Sequence, residues 1–333
     1  MSTMHLPTLS TVNILQWLRD TIPSQTGKTV LITGANTGIG YWTAHVFAQF
    51  GAQVILACRS TLKADQAISR IREDHPNALC DSLSLDLASE TSIKEAVQTI
   101  YDRYDSLDIL INNAGISTDA DSFDQHGIHS TFSTNHFGPF SFTIRLLPLI
   151  LATPKARIVT QSSLTHHTCF RRPDFQQYIK PFNRQPYAYA HSKLANLLFA
   201  RHLRTLLRAG NYPQHSLAAH PGLTLTQINH LAHSTSCFDF IGDLTNCALN
   251  RMALRFANLS GFCQPYQIAG ALPAIYAAAC DLNPDDFYFG PDRLFELSGM
   301  PARAKLSGLA QCTDLAQSLW EISENHTKTK AKV

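Results

Sequence analysis

Tyr189 and Lys193 stand four residues apart in the segment Tyr-Ala-His-Ser-Lys. On a helix, residues so spaced share a face, so a phenol and an ammonium can meet at one point. A cation beside a phenol favours the phenolate, which would let Tyr189 exchange a proton well below its ordinary pKa of about 10. The chemistry this suits is proton transfer to or from an alcohol near neutral pH. Such a pair is common by chance. It gains weight here because a glycine-rich turn, Asn112-Asn113-Ala114-Gly115 and Ser162-Ser163 precede it in a workable order.

The glycine-rich turn is Thr33-Gly34-Ala35-Asn36-Thr37-Gly38-Ile39-Gly40, after an apolar β-branched run and before a helical pattern. Glycines there let the chain turn tightly and let backbone approach a pyrophosphate, and the following helix start offers free N–H groups to that anion. In a dinucleotide site, an acid about twenty residues on binds the ribose of NAD, whereas an Arg accommodates the 2′-phosphate of NADP. The next strand ends Ala57-Cys58-Arg59-Ser60, with no acid and with Lys63 one helical turn beyond. Arg59 therefore favours NADP(H) over NAD(H). Asp86, at a third strand end, could accept from an adenine amino group, with Leu87 adding a backbone contact. Asn113, Ala114 and Gly115 follow the fourth, where small residues let backbone reach the cofactor.

These groups can converge only if the elements between them build the right scaffold. The predicted strands are 29–33, 54–57, 79–85, 107–111, 157–160, 216–219 and 287–290; the predicted helices are 10–20, 38–50, 63–73, 89–104, 133–151, 186–208, 269–279 and 314–324. Strands alternating with helices of this length imply a parallel sheet covered on both faces. The strand runs are apolar throughout, as burial on both faces requires. The expected class is thus α/β, a doubly wound Rossmann-type sheet in a three-layer αβα arrangement, in a single domain. Its parts are a helical extension at 1–25, the main domain at 26–325 and a flexible tail at 326–333. The apolar, aromatic and poorly periodic stretch at 227–266, with Phe238, Phe240, Phe256 and Phe262, is the expected substrate lid.

Composition excludes several alternatives. With 333 residues, 44% of them hydrophobic, the chain can bury a sizeable core. A net charge of +2 with scattered Lys and Arg gives no electrostatic case for nucleic acid. No apolar run reaches the roughly 18 residues of a membrane span, and the first twenty residues do not read as a secretory signal. The eight cysteines are dispersed without Cys-x-x-Cys, so free thiols in a reducing, cytoplasmic setting are expected, and no metal site. The helix at 10–20 has one basic residue and is expected to pack on the domain rather than on a lipid surface.

Taken together, Thr-Gly-x-x-x-Gly-x-Gly at 33–40, Asp86, Asn112-Asn113-Ala114-Gly115, Asn135, Ser162-Ser163, Tyr189-x-x-x-Lys193 and Pro221-Gly222 resemble the short-chain dehydrogenase/reductase family. Leu-Ala-Cys-Arg at 56–59, Asn135-His136-Phe137-Gly138 and Leu319-Trp320-Glu321 are similar to its retinol-dehydrogenase-like branch, which includes the WW-domain oxidoreductase. The resemblance implies hydride transfer between a nicotinamide and an alcohol/carbonyl pair on a small molecule. It implies Tyr189 as general acid/base, Lys193 on the nicotinamide ribose, Ser163 on the substrate oxygen and Asn135 in a water-linked relay. Pro221, Gly222 and Thr224 or Thr226 would flank the nicotinamide. The long helices are compatible with a homo-oligomer. Two departures stand out. Polar Asp119, Asp121 and Asp124 weigh against a retinoid substrate, and an insertion from Cys169 to Gln185 is expected to border the active-site mouth.

Overall fold

In the computed structural model, which describes residues 11–224 and 267–332, the strand runs form one eight-stranded sheet. The strands are β1 (Thr29–Thr33), β2 (Gln53–Cys58), β3 (Cys80–Ser84), β4 (Ile109–Asn112), β5 (Arg157–Gln161), β6 (His215–Ala219), β7 (Tyr288–Arg293) and β8 (Ser298–Arg303). Their spatial order is β3-β2-β1-β4-β5-β6-β7-β8. Every pairing is parallel except β7 with β8. The order reverses where β4 lies beside β1, and connections leaving those strand ends in opposite directions open a crevice at their carboxyl ends.

The helices are α1 (Thr11–Thr21), α2 (Gly38–Gln49), α3 (Thr61–Asp74), α4 (Glu90–Arg103), the single turn α5 (Ser130–Phe132), α6 (Gly138–Ala152), α7 (Ala188–Ala209), α8 (Gln267–Ala279) and α9 (Thr313–Thr327). Successive strand residues point to opposite faces. Val30 and Ile32 therefore join the core under α1, α2, α3 and α8, whereas Leu31 joins the core under α4, α6 and α7. All three are fully buried, which is why β1 carries no polar alternation. Ser60 and Ser89 cap α3 and α4, accepting from the amides of Lys63 and Ser92 at 3.3 Å each. These caps satisfy otherwise orphaned first-turn donors.

α1 packs on the domain. Ile14, Leu18 and Ile22, spaced one helical turn apart, are buried in the first core, and Trp17 meets Tyr276 of α8 at 6.3 Å between ring centroids. Each such burial contributes roughly 1.5–3 kcal/mol of transfer free energy.

Three features differ from the sequence expectation. The helix expected at 133–151 is interrupted: α5 passes through a π-helical turn, Ser133–Phe137, before α6 begins. The antiparallel edge strand β8 is additional; Ser-Gly-Met-Pro-Ala-Arg lacks β-branched residues, and its Pro301 faces Pro291 of β7, which an edge strand tolerates. The closing helix runs on to Thr327, past the expected start of the tail. The expected lid at 227–266 lies outside the described residues.

Candidate active site

The glycine turn takes the shape its composition requires. Gly34 is left-handed, with φ +67°, and a Cβ there would sit 3.0 Å from Ala114 Cα. A Cβ on Gly40 would fall 2.4 Å from the Gly34 carbonyl oxygen, so α2 can start against the turn only without a side chain. The N-cap residue Thr37 makes no side-chain capping bond, which leaves the first-turn amides of α2 for another acceptor. Gly38, Ile39 and Gly40 line a cavity of about 970 Å³ that runs from there to α7. Uncapped helix amides and a glycine-walled floor fit a pyrophosphate.

Gly34, Asn36, Thr37, Arg59, Asp86, Leu87, Asn113, Ala114, Gly115, Pro221, Gly222 and Thr224 line the same cavity. Thr226 lies outside the described residues. Arg59 and Lys63 are exposed on its rim, next to the cap residue Ser60. Asp86 Oδ1 accepts from the Ala88 amide at 2.9 Å. The Asn113 side chain does a different job from the backbone around it. Its Nδ2 donates to the Thr33 carbonyl at 2.8 Å, and the amides of Asn113 and Ala114 donate to Thr33 Oγ1 at 3.0 Å each. This braces the ends of β1 and β4 at the point where the crevice opens. Cys58, although on the cavity wall, receives the Ala35 and Asn36 amides, and burial pushes its thiol up to about 11, so it is not a nucleophile near neutral pH.

At the far end, α7 begins with Ala188, so Tyr189 lies in its first turn and Lys193 one turn further. The Ser163 hydroxyl hydrogen-bonds the Tyr189 phenol. Lys193 is buried, and its Nζ donates to the Gln161 carbonyl at 3.4 Å and lies 5.6 Å from the centre of the Tyr189 ring. The other serine of the pair points away: Ser162 Oγ donates to the Lys193 carbonyl at 2.8 Å, and Asn196 Nδ2 donates to the Gln161 carbonyl at 2.9 Å. These two bonds tie α7 to the end of β5 and thereby fix Tyr189 and Lys193 relative to Ser163. The part played by the Gln161 carbonyl has no side-chain signature, so no residue type could announce it.

The electrostatics correct one expectation. Lys193 was expected to draw the Tyr189 pKa down. Instead, burial pushes the phenol up to about 12, opposed by the Ser163 hydrogen bond, and burial pushes Lys193 itself down to about 8. Loss of solvent is the main cause of both shifts, although Tyr189 keeps part of its surface open to the cavity.

Asn135 occupies the π-helical turn, where such bulges often mark functional sites. Its Oδ1 accepts from the Ile116 amide at 2.8 Å, and its Nδ2 donates to the Ile116 carbonyl at 2.9 Å and to Ser192 Oγ at 3.0 Å. Its side chain therefore anchors the loop after β4 to α7. Gly115 fills the narrow space beside it: a Cβ there would lie 3.2 Å from Lys193 Nζ and 3.4 Å from Asn135 Oδ1.

Asp119, Asp121 and Asp124 of the loop 117–125 are not among the described residues that line the cavity. Asp124 is occupied in folding that loop, accepting from the amides of His126 and Ile128 and from Ser133 Oγ. The insertion does border the mouth. Phe175 and Tyr178 anchor it in the core, with Tyr178 stacked 3.9 Å from Phe132 and its hydroxyl 2.7 Å from His191 Nδ1. Arg172 pairs with Asp314 at 2.6 Å, while the exposed Phe170 and Arg171 face the opening. Among the described residues, no group of three His, Cys, Asp or Glu side chains could hold a metal ion, and no helix is long and apolar enough to cross a membrane.

Comparison with known proteins agrees with this geometry. The family model for short chain dehydrogenase matches residues 28–235. Retinol dehydrogenase 12 of Mus musculus is 40% identical over 206 residues, a match spanning 61% of this chain and 63% of that protein. The first such matches thus cover less than two thirds of their relatives' lengths. Retinol dehydrogenase 14 of Mus musculus is 32% identical over 317 residues, covering 90% of this chain and 85% of its own. Among solved structures, an uncharacterised protein from Mycobacterium paratuberculosis is 32% identical with a TM-score of 0.72, covering 95% of this chain and 98% of its own. A short chain dehydrogenase from Escherichia coli CFT073 complexed with NADPH is 27% identical with a TM-score of 0.53, covering 64% of this chain and 84% of its own. The chain belongs to the short-chain dehydrogenase/reductase family, in its retinol-dehydrogenase-like branch, and is an oxidoreductase by family.

Proposed function

We propose that this protein is an NADP(H)-dependent oxidoreductase that interconverts a carbonyl and an alcohol on a lipophilic or aromatic small molecule. The observation that carries this reading is the contact of Ser163 with the Tyr189 phenol beside the buried Lys193, at the end of a cavity that begins at an uncapped helix start. A bound nicotinamide supplies or accepts the hydride. The α2 amides and glycine turn hold the pyrophosphate. Arg59 and Lys63 meet the 2′-phosphate, and Asp86 and Leu87 meet the adenine. Pro221, Gly222 and Thr224 would flank the nicotinamide. NADPH in the Escherichia coli relative supports the choice of cofactor.

Ser163 donates a hydrogen bond to the substrate oxygen and steadies negative charge there. Tyr189 gives that oxygen its proton on reduction and takes it back on oxidation. A phenol held near 12 stays protonated at neutral pH, the state that reduction needs. Lys193 holds the ribose, and Asn135 keeps the Ile116 loop in place beside it. One domain, from about residue 26 through the closing helix to Thr327, carries this site. The buried free thiols Cys58, Cys80, Cys169 and Cys280 fit a reducing compartment, the cytoplasm.

The test is a panel of aromatic and aliphatic aldehydes, ketones and enones, incubated with NADPH or NADH, with products identified by mass spectrometry. Alcohol products formed faster with NADPH are expected. Saturated carbonyl products would make it a double-bond reductase of the protochlorophyllide-reductase type. Cofactor binding without turnover of any member would make it a nucleotide sensor.

A further inference from the structure

The segment that would flank the nicotinamide leaves β6 as His220-Pro221-Gly222-Leu223-Thr224, and the turn between β7 and β8 clamps it from outside the cavity. His220 is fully buried. Its Nδ1 accepts the Gly222 amide at 3.2 Å, so the ring proton sits on Nε2 and is donated to Glu296 Oε2 at 3.1 Å. The other carboxylate oxygen, Oε1, accepts the Lys305 amide at 3.0 Å, which fixes the carboxylate against the segment that follows β8. A second, backbone bond runs from the Leu223 amide to the Leu297 carbonyl at 2.8 Å. Gly222 itself is left-handed, with φ +67°.

The turn that supplies Glu296 is unusual. Leu294, Phe295 and Glu296 are all left-handed, with φ of 48°, 57° and 67°, and none is glycine. Such backbone persists only where its surroundings over-determine it. Phe295 is 95% exposed, so its packing does not hold the turn; the Leu297 amide on the Leu294 carbonyl at 3.2 Å closes its backbone, and the Glu296 carboxylate, with its two partners, is the side chain that ties it down. Neither Glu296 nor His220 lines the cavity, but Pro221, Gly222, Leu223 and Thr224 all do.

We propose that Glu296 is a positioning residue: acting through the buried His220, it holds the Pro221–Leu223 turn in the shape that receives the nicotinamide. This rests on the assignment of the cavity to a nicotinamide cofactor, and the test separates the two claims. Glu296→Met removes the acceptor at similar size, and Glu296→Gln keeps an oxygen that can accept from His220 Nε2. Hydrogen exchange of the peptide spanning Gly222 and Leu223 is read without cofactor, with an α2 peptide as the control for folding. NADPH dissociation constants are read by fluorescence on the same samples. In Glu296→Met, exchange at Gly222 and Leu223 is expected to speed up about tenfold, α2 to remain at the parental rate and the NADPH dissociation constant to rise about tenfold. Glu296→Gln should restore both towards the parent. Parental exchange in Glu296→Met overturns the proposal, as does faster exchange with unchanged NADPH affinity or a Gln variant as impaired as Met. A parent that binds no NADPH contradicts the cofactor assignment instead, and the exchange measurement still decides whether Glu296 holds the turn.

Discussion

At the glycine-turn end of the cavity, Gly34, Gly38 and Gly40 leave backbone as the surface that faces a ligand; at the α7 end, Ser163, Tyr189 and Lys193 present side chains, and burial has shifted the titration of the last two. The first end depends on space. Any Cβ at Gly40 meets the Gly34 carbonyl, whatever the pH or salt. The second depends on dielectric. The same phenol and ammonium on an exposed helix would titrate near their ordinary values. Steric demands are therefore carried by residue type, whereas electrostatic ones are carried by what is packed around the residue.

The largest expected effect tests the dielectric end. Lys193 has a folded pKa of about 8 against an ordinary value of 10.5, so between those values the unfolded chain binds more protons than the folded one. The cost of burying the charge is fully present below pH 8, and stability should rise with pH from about 8 towards 10.5. Lys193→Met removes that cost. Urea melts at pH 7 should show it more stable than the parent, by up to about 3 kcal/mol at 1.36 kcal/mol per pK unit, with the difference shrinking by pH 9.5. Turnover should fall to background in the same variant. A less stable Met variant at pH 7 would mean that contacts of the ammonium, not its burial, dominate.

Gly40→Ala tests the steric end. With its Cβ 2.4 Å from a backbone oxygen, the variant should lose about 1–3 kcal/mol in denaturant melts, equally at pH 7 and pH 9.5, together with NADPH binding. Arg59→Asp should move the ratio of NADPH to NADH affinity by about tenfold or more, the equivalent of about 1.4 kcal/mol, with little change in melting. An unchanged ratio would remove Arg59 from the 2′-phosphate. The smallest effect lies where the two materials meet. Gly115→Ala puts a methyl 3.2 Å from Lys193 Nζ, the end of a side chain that can give by a few tenths of an ångström, so kcat should fall only a few-fold while the protein melts normally.

The same contrast explains what the sequence disclosed. Apolar β-branched runs at 29–33 and 54–57 can be little other than buried parallel strands, and the glycines between them mark a turn that no other residue fits. Tyr189 and Lys193 were legible because helix spacing is fixed, and Ser163 only through the family resemblance, which gives the second serine of such a pair the substrate oxygen. The direction of the Tyr189 shift was not legible, since it follows from how far the folded chain buries the phenol, which helix spacing does not record. Asn135 stood out as a residue, but the π-helical turn that carries it has no sequence signal distinct from a helix. β8 was invisible because Gly, Pro and Met carry no strand pattern, and with it went Glu296, whose role depends on reaching a histidine 76 residues away in sequence.

The most direct measurement compares NADPH binding and NADPH oxidation in the parent, Tyr189→Phe and Ser163→Ala, using one carbonyl substrate and the same preparations. Equal binding in all three is expected, with turnover lowered about 10²–10⁴-fold in Tyr189→Phe, the range for loss of a positioned acid, and clearly lowered in Ser163→Ala. Turnover by Tyr189→Phe at the parental rate would contradict the central claim that this phenol moves the proton.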